Sequence, residues 1–144
     1  MSLSNVWLAE GYLLSERLED ARRTIERALG LARKYKEVGH EAWALKLAGD
    51  VVLRCNAVEF GDAEICYLKA RAISQDLNMQ PLQAHCCFGL GKVHAVKGML
   101  PEAHAELAAA RDIYRSLDMI HWLRRAEGAL EKLPRQEVGD GGAG

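Results

Sequence analysis

The side chains best able to do chemistry crowd into one stretch: His85, Cys86, Cys87 and His94 all fall within ten residues. Histidine and cysteine are the ligands zinc prefers, and a zinc site needs three or four of them converging. Cys87 and His94 are seven residues apart, two turns of a helix, and share a face, whereas the adjacent Cys86 and Cys87 point in different directions. Two ligands do not make a zinc site, and Cys55 and Cys66 would have to converge on them from other helices. The expectation is no metal and no cofactor. The four cysteines fit neither a disulfide framework nor a zinc knuckle, so they are expected as reduced, buried thiols filling a helix seam.

Other chemistry has less to stand on. No serine, histidine and aspartate combination has recognisable local context, and the paired carboxylates Glu19 and Asp20 sit near a helix start, where they complement the helix dipole. No phosphate-cradling glycine loop occurs. The chain is therefore not expected to be an enzyme. A basic cluster, Arg22, Arg23, Arg27, Arg33, Lys34 and Lys36, is interleaved with Glu19, Glu26 and Glu37, which marks a solvated outer helix face. With 19 basic against 20 acidic residues and a net charge of −1, no electrostatic case for nucleic acid follows. No apolar run approaches the roughly 18 residues of a membrane span, and Met1–Asn5 does not resemble a secretion signal, so a cytoplasmic location is expected.

The elements that would position these side chains repeat. Ala21, Ile25 and Ala28 recur as Ala63, Tyr67 and Ala70, and again as Ala103, Leu107 and Ala110, with the leading alanines 42 and then 40 residues apart. Small, large, small thus falls on one helical face three times. Tyr12 precedes Ala21 by nine residues and His94 precedes Ala103 by nine, while Leu8-Ala9 matches Leu90-Gly91. In the middle copy Gly49 lies 14 residues before Ala63, against 12 from Gly91 to Ala103, which places about two extra residues within 56–62. Asp76-Leu77-Asn78-Met79 is echoed by Ser116-Leu117-Asp118-Met119, where a long helix should stop.

Apolar periodicity makes nearly every element helical, over about 4–15, 18–37, 41–55, 60–77, 81–97, 101–116 and 119–133. Pro81 and Pro101 suit first-turn positions, and Gly39 and Gly98 suit the left-handed residue that ends a helix. Small facing residues let antiparallel helices approach closely. Each helix pair then leaves an apolar face that only the next pair can cover, which is the logic of a solenoid. The last ten residues, 135–144, hold four glycines and no apolar period, so they are expected to be a disordered tail.

Leu90-Gly91, His94, Gly98, Ala103, Leu107 and Ala110, with Leu8, Tyr12, Ala21, Ile25 and Ala28 in the first copy, make the chain resemble the tetratricopeptide repeat. The resemblance implies an all-α, right-handed superhelix over residues 1–134, with helix pairs at about 4–39, 41–79 and 81–118 and a capping helix at 119–133. The period is near 40 instead of that family's 34, the usual tryptophan position holds Asn5 or Cys87, and no proline closes the pairs. Longer helices are implied, like those in large bacterial signalling ATPases and transcription regulators. Over roughly 41–133, the stretch from Pro81 to Cys86, then Gly89-Leu90-Gly91, then Tyr114 to Met119 with Trp122-Leu123, resembles the C-terminal repeats of bacterial proteins that join a class III adenylate or guanylate cyclase to an ATPase.

That likeness implies a regulatory, non-catalytic tail that binds proteins through the inner helix of each pair. Carried over, the partner groove comprises Glu10, then Trp43, Lys46, Asp50 and Arg54, then His85, Phe88 and Lys92. The spacing equally allows Trp43 and Phe88 to be core. A clamp for a C-terminal carboxylate is not implied, because the equivalent positions hold Lys46 with Asp50 and Phe88 with Lys92. The final helix puts Leu123, Ala126, Leu130 and Leu133 on one stripe and Arg124, Arg125 and Lys132 on the other side, as a cap should. At the other end, Val6, Trp7, Leu8, Leu13 and Leu14 cover more of their helix than one packed stripe needs, so the expectation is either a homodimer through Val6, Trp7 and Leu14 or docking against repeats that precede this helix in a longer protein. The alternative function is a small-molecule or metal-responsive sensor with a pocket between the inner helices.

Overall fold

The structure, a computed structural model, describes residues 17–55 and 60–134. Six helices occur among the described residues: α1 (Leu18–Lys34), α2 (Val38–Cys55), α3 (Phe60–Asp76), α4 (Gln80–Val96), α5 (Leu100–Ser116) and α6 (Ile120–Lys132). No strand occurs among these residues, and no helix among them is long and apolar enough to cross a membrane. The expected helix at 4–15, with Glu10 and the self-association residues Val6, Trp7 and Leu14, lies outside the described residues, as do positions 56–59 and the tail 135–144.

Successive helices begin 20 residues apart, except that α3 begins 22 after α2. Two such steps give the 42- and 40-residue spacing of the alanines. The regularity comes from the turns. Lys36, Asn78, Gly98 and Asp118 all have positive φ, between 56° and 80°. In each case the next residue's N–H donates to a carbonyl five positions back, on Ala32, Ser74, His94 and Tyr114, at 2.7–2.9 Å. The left-handed residue's own N–H reaches three back, which completes a Schellman closure. Then the carbonyl of Glu37, Met79, Met99 or Met119 accepts the first bond of the following helix.

Gly98 ends its helix as expected, but Gly39 does not. It is the second residue of α2, and the left-handed position belongs to Lys36. As a result α1 stops at Lys34 and α2 starts at Val38, against the expected 37 and 41. Asparagine and aspartate visit the left-handed region more readily than lysine does, so only at Lys36 does the closure run against residue type.

Each helix packs on the next in sequence, and α2 also packs on α4. The six repeated alanines are all fully buried, and the large residues between them, Ile25, Tyr67 and Leu107, are at most 3% exposed. Tyr67 shows what the small neighbours are for. A Cβ on Gly89 would stand 2.4 Å from its ring and one on Gly49 2.9 Å, so the ring from α3 lies against bare backbone of both α2 and α4. Likewise Leu107 lies against Gly91, where a Cβ would meet its Cγ at 2.5 Å. On the last pair, Trp122, Leu123, Ala126 and Leu130 of α6, with Leu133 just past its end, pack over Ala84, Phe88, Ala110 and Tyr114.

Candidate functional site

Side chains three or four apart on a helix share a face. Lys46, Asp50 and Arg54 use that spacing on α2, and His85, Phe88 and Lys92 use it on α4. Because α2 packs on α4, the two rows meet, and all six residues line one cavity of about 460 Å³. Trp43, expected with them, does not line it: it is partly buried against the core, with its ring 5.8 Å from that of His85. The third wall comes from α6, through His121, Trp122 and Arg125.

The depth of the cavity is aromatic. The His85 ring lies 4.6 Å from Trp122 and 5.4 Å from Tyr114, and its Nδ1 is hydrogen-bonded to the Tyr114 hydroxyl at 2.6 Å. Burial, reinforced by the charge of Lys46, pushes the His85 pKa down to about 3. Its imidazole is therefore neutral at ordinary pH. Burial also raises the Tyr114 pKa, so the phenol keeps its proton.

The mouth is charged, and its charges are unevenly matched. Lys46 pairs with Asp50 at 2.8 Å, and the Tyr67 hydroxyl donates to the same carboxylate. Lys92 instead stands 4.4 Å from the Phe88 ring centre, and the Arg125 guanidinium 4.7 Å from that of Trp122. Among the described residues no carboxylate lies within 4 Å of either cation. Although Lys92 is an exposed residue, the protein around it lowers its pKa, chiefly by desolvation, with Asp50 opposing the shift and Lys46, Arg125 and Arg54 adding to it.

The histidine and cysteine stretch is built differently. Cys86 and Cys87 are buried, and burial raises both thiols, Cys86 to about 12. Cys66 is raised as well, again mainly by burial. Protonated thiols are poor nucleophiles and poor metal ligands. No group of three or more histidine, cysteine, aspartate or glutamate side chains among the described residues is placed to hold a metal ion. His94 is 8% exposed and its Nδ1 has no hydrogen-bond partner.

Arg125 departs from expectation, since it lies over Trp122 and Phe88 at the cavity instead of on the far side of the cap with Arg124 and Lys132. The sequence does hold a signal for this. The 42-residue step that carries Trp43 to His85 is followed by a 40-residue step that carries His85 to Arg125, so α6 occupies the register of another inner helix. Tyr114, whose hydroxyl holds His85, comes from α5 and has no such signal. In comparisons of the chain with known proteins, no family model, no curated protein and no solved structure matches it.

Proposed function

We propose that this chain is a tetratricopeptide-type helical repeat module that binds a protein partner on the face shared by α2, α4 and α6, without chemistry of its own. The observation that carries this is the meeting of Lys46, Asp50, Arg54, His85, Phe88 and Lys92 around one concavity. Further support comes from the 20-residue helix step and from the buried alanines at each helix contact. The α2–α4 contact is the one that stacked helix pairs in a solenoid require. Aromatic rings among mixed charges are the composition of binding hot spots. The reading as a regulatory tail of a bacterial cyclase–ATPase protein rests on the sequence resemblance described above.

The test is capture from cells of the source organism, with the full chain and three variants compared quantitatively. Lys92→Glu and Arg125→Glu, both exposed at the cavity, should each deplete the same partner while leaving the helical signal unchanged, and Lys69→Glu on exposed α3 surface should not. Equal capture by all four proteins, or no partner for any, would overturn the proposal. The sensor reading is favoured by one particular, the pair of cations Lys92 and Arg125 with no carboxylate within 4 Å among the described residues.

A further inference from the structure

We propose that the cavity between α2, α4 and α6 binds a small anion carrying at least two negative charges, held by Lys92 and Arg125. The site shares its face with the partner surface but does not require a protein partner. Lys92 and Arg125 stand exposed at the cavity, and Asp50, the one carboxylate in the lining among the described residues, is already engaged by Lys46 and by the Tyr67 hydroxyl. Lys92 and Arg125 are left facing aromatic rings. Stacking over a ring holds a cation in place but does not neutralise it, so both keep their charge for an incoming anion. Two such charges call for two on the ligand.

The local charge is set against the rest of the molecule. The whole chain carries a formal −1, yet Lys46, Lys92 and Arg125 meet a single aspartate here among the described residues of the lining. Desolvation chiefly lowers the Lys92 pKa, with Asp50 opposing and Lys46 and Arg125 adding to it, and an anion beside Lys92 and Arg125 would favour the charged lysine. The volume of about 460 Å³ is within the range of about 300–1,000 Å³ typical of small-ligand sites. Phe88 and His85, 6% and 7% exposed, give it an apolar depth, and His85 is uncharged there, so it suits a carbon skeleton while the cations meet the anionic groups at the mouth.

Calorimetric titration of the full chain with pyrophosphate and with citrate, at matched ionic strength, tests this. Saturable binding of at least one of them, with one site per chain and a dissociation constant below about 1 mM, is expected. Acetate, a monoanion, should bind at least about ten-fold more weakly. Lys92→Met and Arg125→Met should each weaken binding by about ten-fold or more, because each removes one charge-assisted contact, while Lys69→Met changes nothing. Absence of saturable binding by both probes, or binding that ignores Lys92→Met and Arg125→Met, would overturn the proposal. A glutamate octapeptide is the second arm. If it binds through Lys92 and Arg125 while pyrophosphate and citrate do not, the anion source is a protein segment, so the small-anion proposal fails and the partner surface stands. Small-anion binding with failed partner capture gives the reverse.

Discussion

At the scale of single residues, His85 links the cavity to pH. In the unfolded chain a histidine takes a proton near pH 6.5, and in the folded protein His85 does so only near 3. The folded pKa is the lower one, so its contribution to stability is fully present above pH 6.5 and is lost as pH falls towards 3. The slope is about 1.4 kcal/mol per pH unit. Tyr114, Lys46, Asp50, Lys92, Arg125 and Trp122 surround it, so the fair comparison is with His85→Gln in the same setting. Between pH 6.5 and 5, urea denaturation should show the natural chain losing about 2 kcal/mol more than the variant. Parallel curves would mean that the imidazole charges freely. Glycine positions give a second comparison by thermal melting. Gly89→Ala drives a Cβ into the Tyr67 ring and should cost about 1–3 kcal/mol or more, because neither helix backbone can yield cheaply. Gly128→Ala meets nothing within 4 Å inside α6 and should stabilise by about 0.5–1 kcal/mol.

At the scale of elements, a helix and its turn together take 20 residues, and the closure at the turn governs where each helix ends. Lys36 is the weak member of the four closures, since lysine gains nothing from φ near 57°. Lys36→Gly should therefore raise stability by about 0.5–1 kcal/mol in chemical denaturation, whereas a position judged only by its exposure would be expected to be neutral. At the alanine seams the change has the opposite sign: Ala63→Leu and Ala103→Leu should each cost about 1–3 kcal/mol, because both sites are fully buried between helices. An unchanged melting midpoint in both would show that the repeat register is misplaced. These seams were legible in the sequence because small and large residues alternate there at helical spacing. The turn at Lys36 was not legible, because a closure made by backbone hydrogen bonds leaves no mark on a lysine, and the nearby Gly39 drew the boundary three residues late. The groove row on α2 and α4 was also legible, since a face is fixed by spacing alone. Trp43 separates from that row because a large ring at the register of His85 has core to fill from α1 and α2.

At the scale of the whole molecule, α6 does two things that spacing showed only in part. Its apolar stripe covers the last helix pair, as a cap must, and its first turns complete the cavity with His121, Trp122 and Arg125. A sequence shows which face of a helix is apolar, but the third wall of a cavity depends on how far that helix rotates as it settles on α5, and tertiary packing decides that. The binding face can be tested directly with a photo-crosslinking amino acid placed at His121, an exposed residue of the cavity lining, and in a separate protein at Ile65, which is 51% exposed on α3. Irradiation in cells of the source organism should attach one defined partner at position 121 and leave position 65 without it. Attachment of that partner at position 65 alone, or equally at both, would contradict the claim that the chain binds through the face shared by α2, α4 and α6.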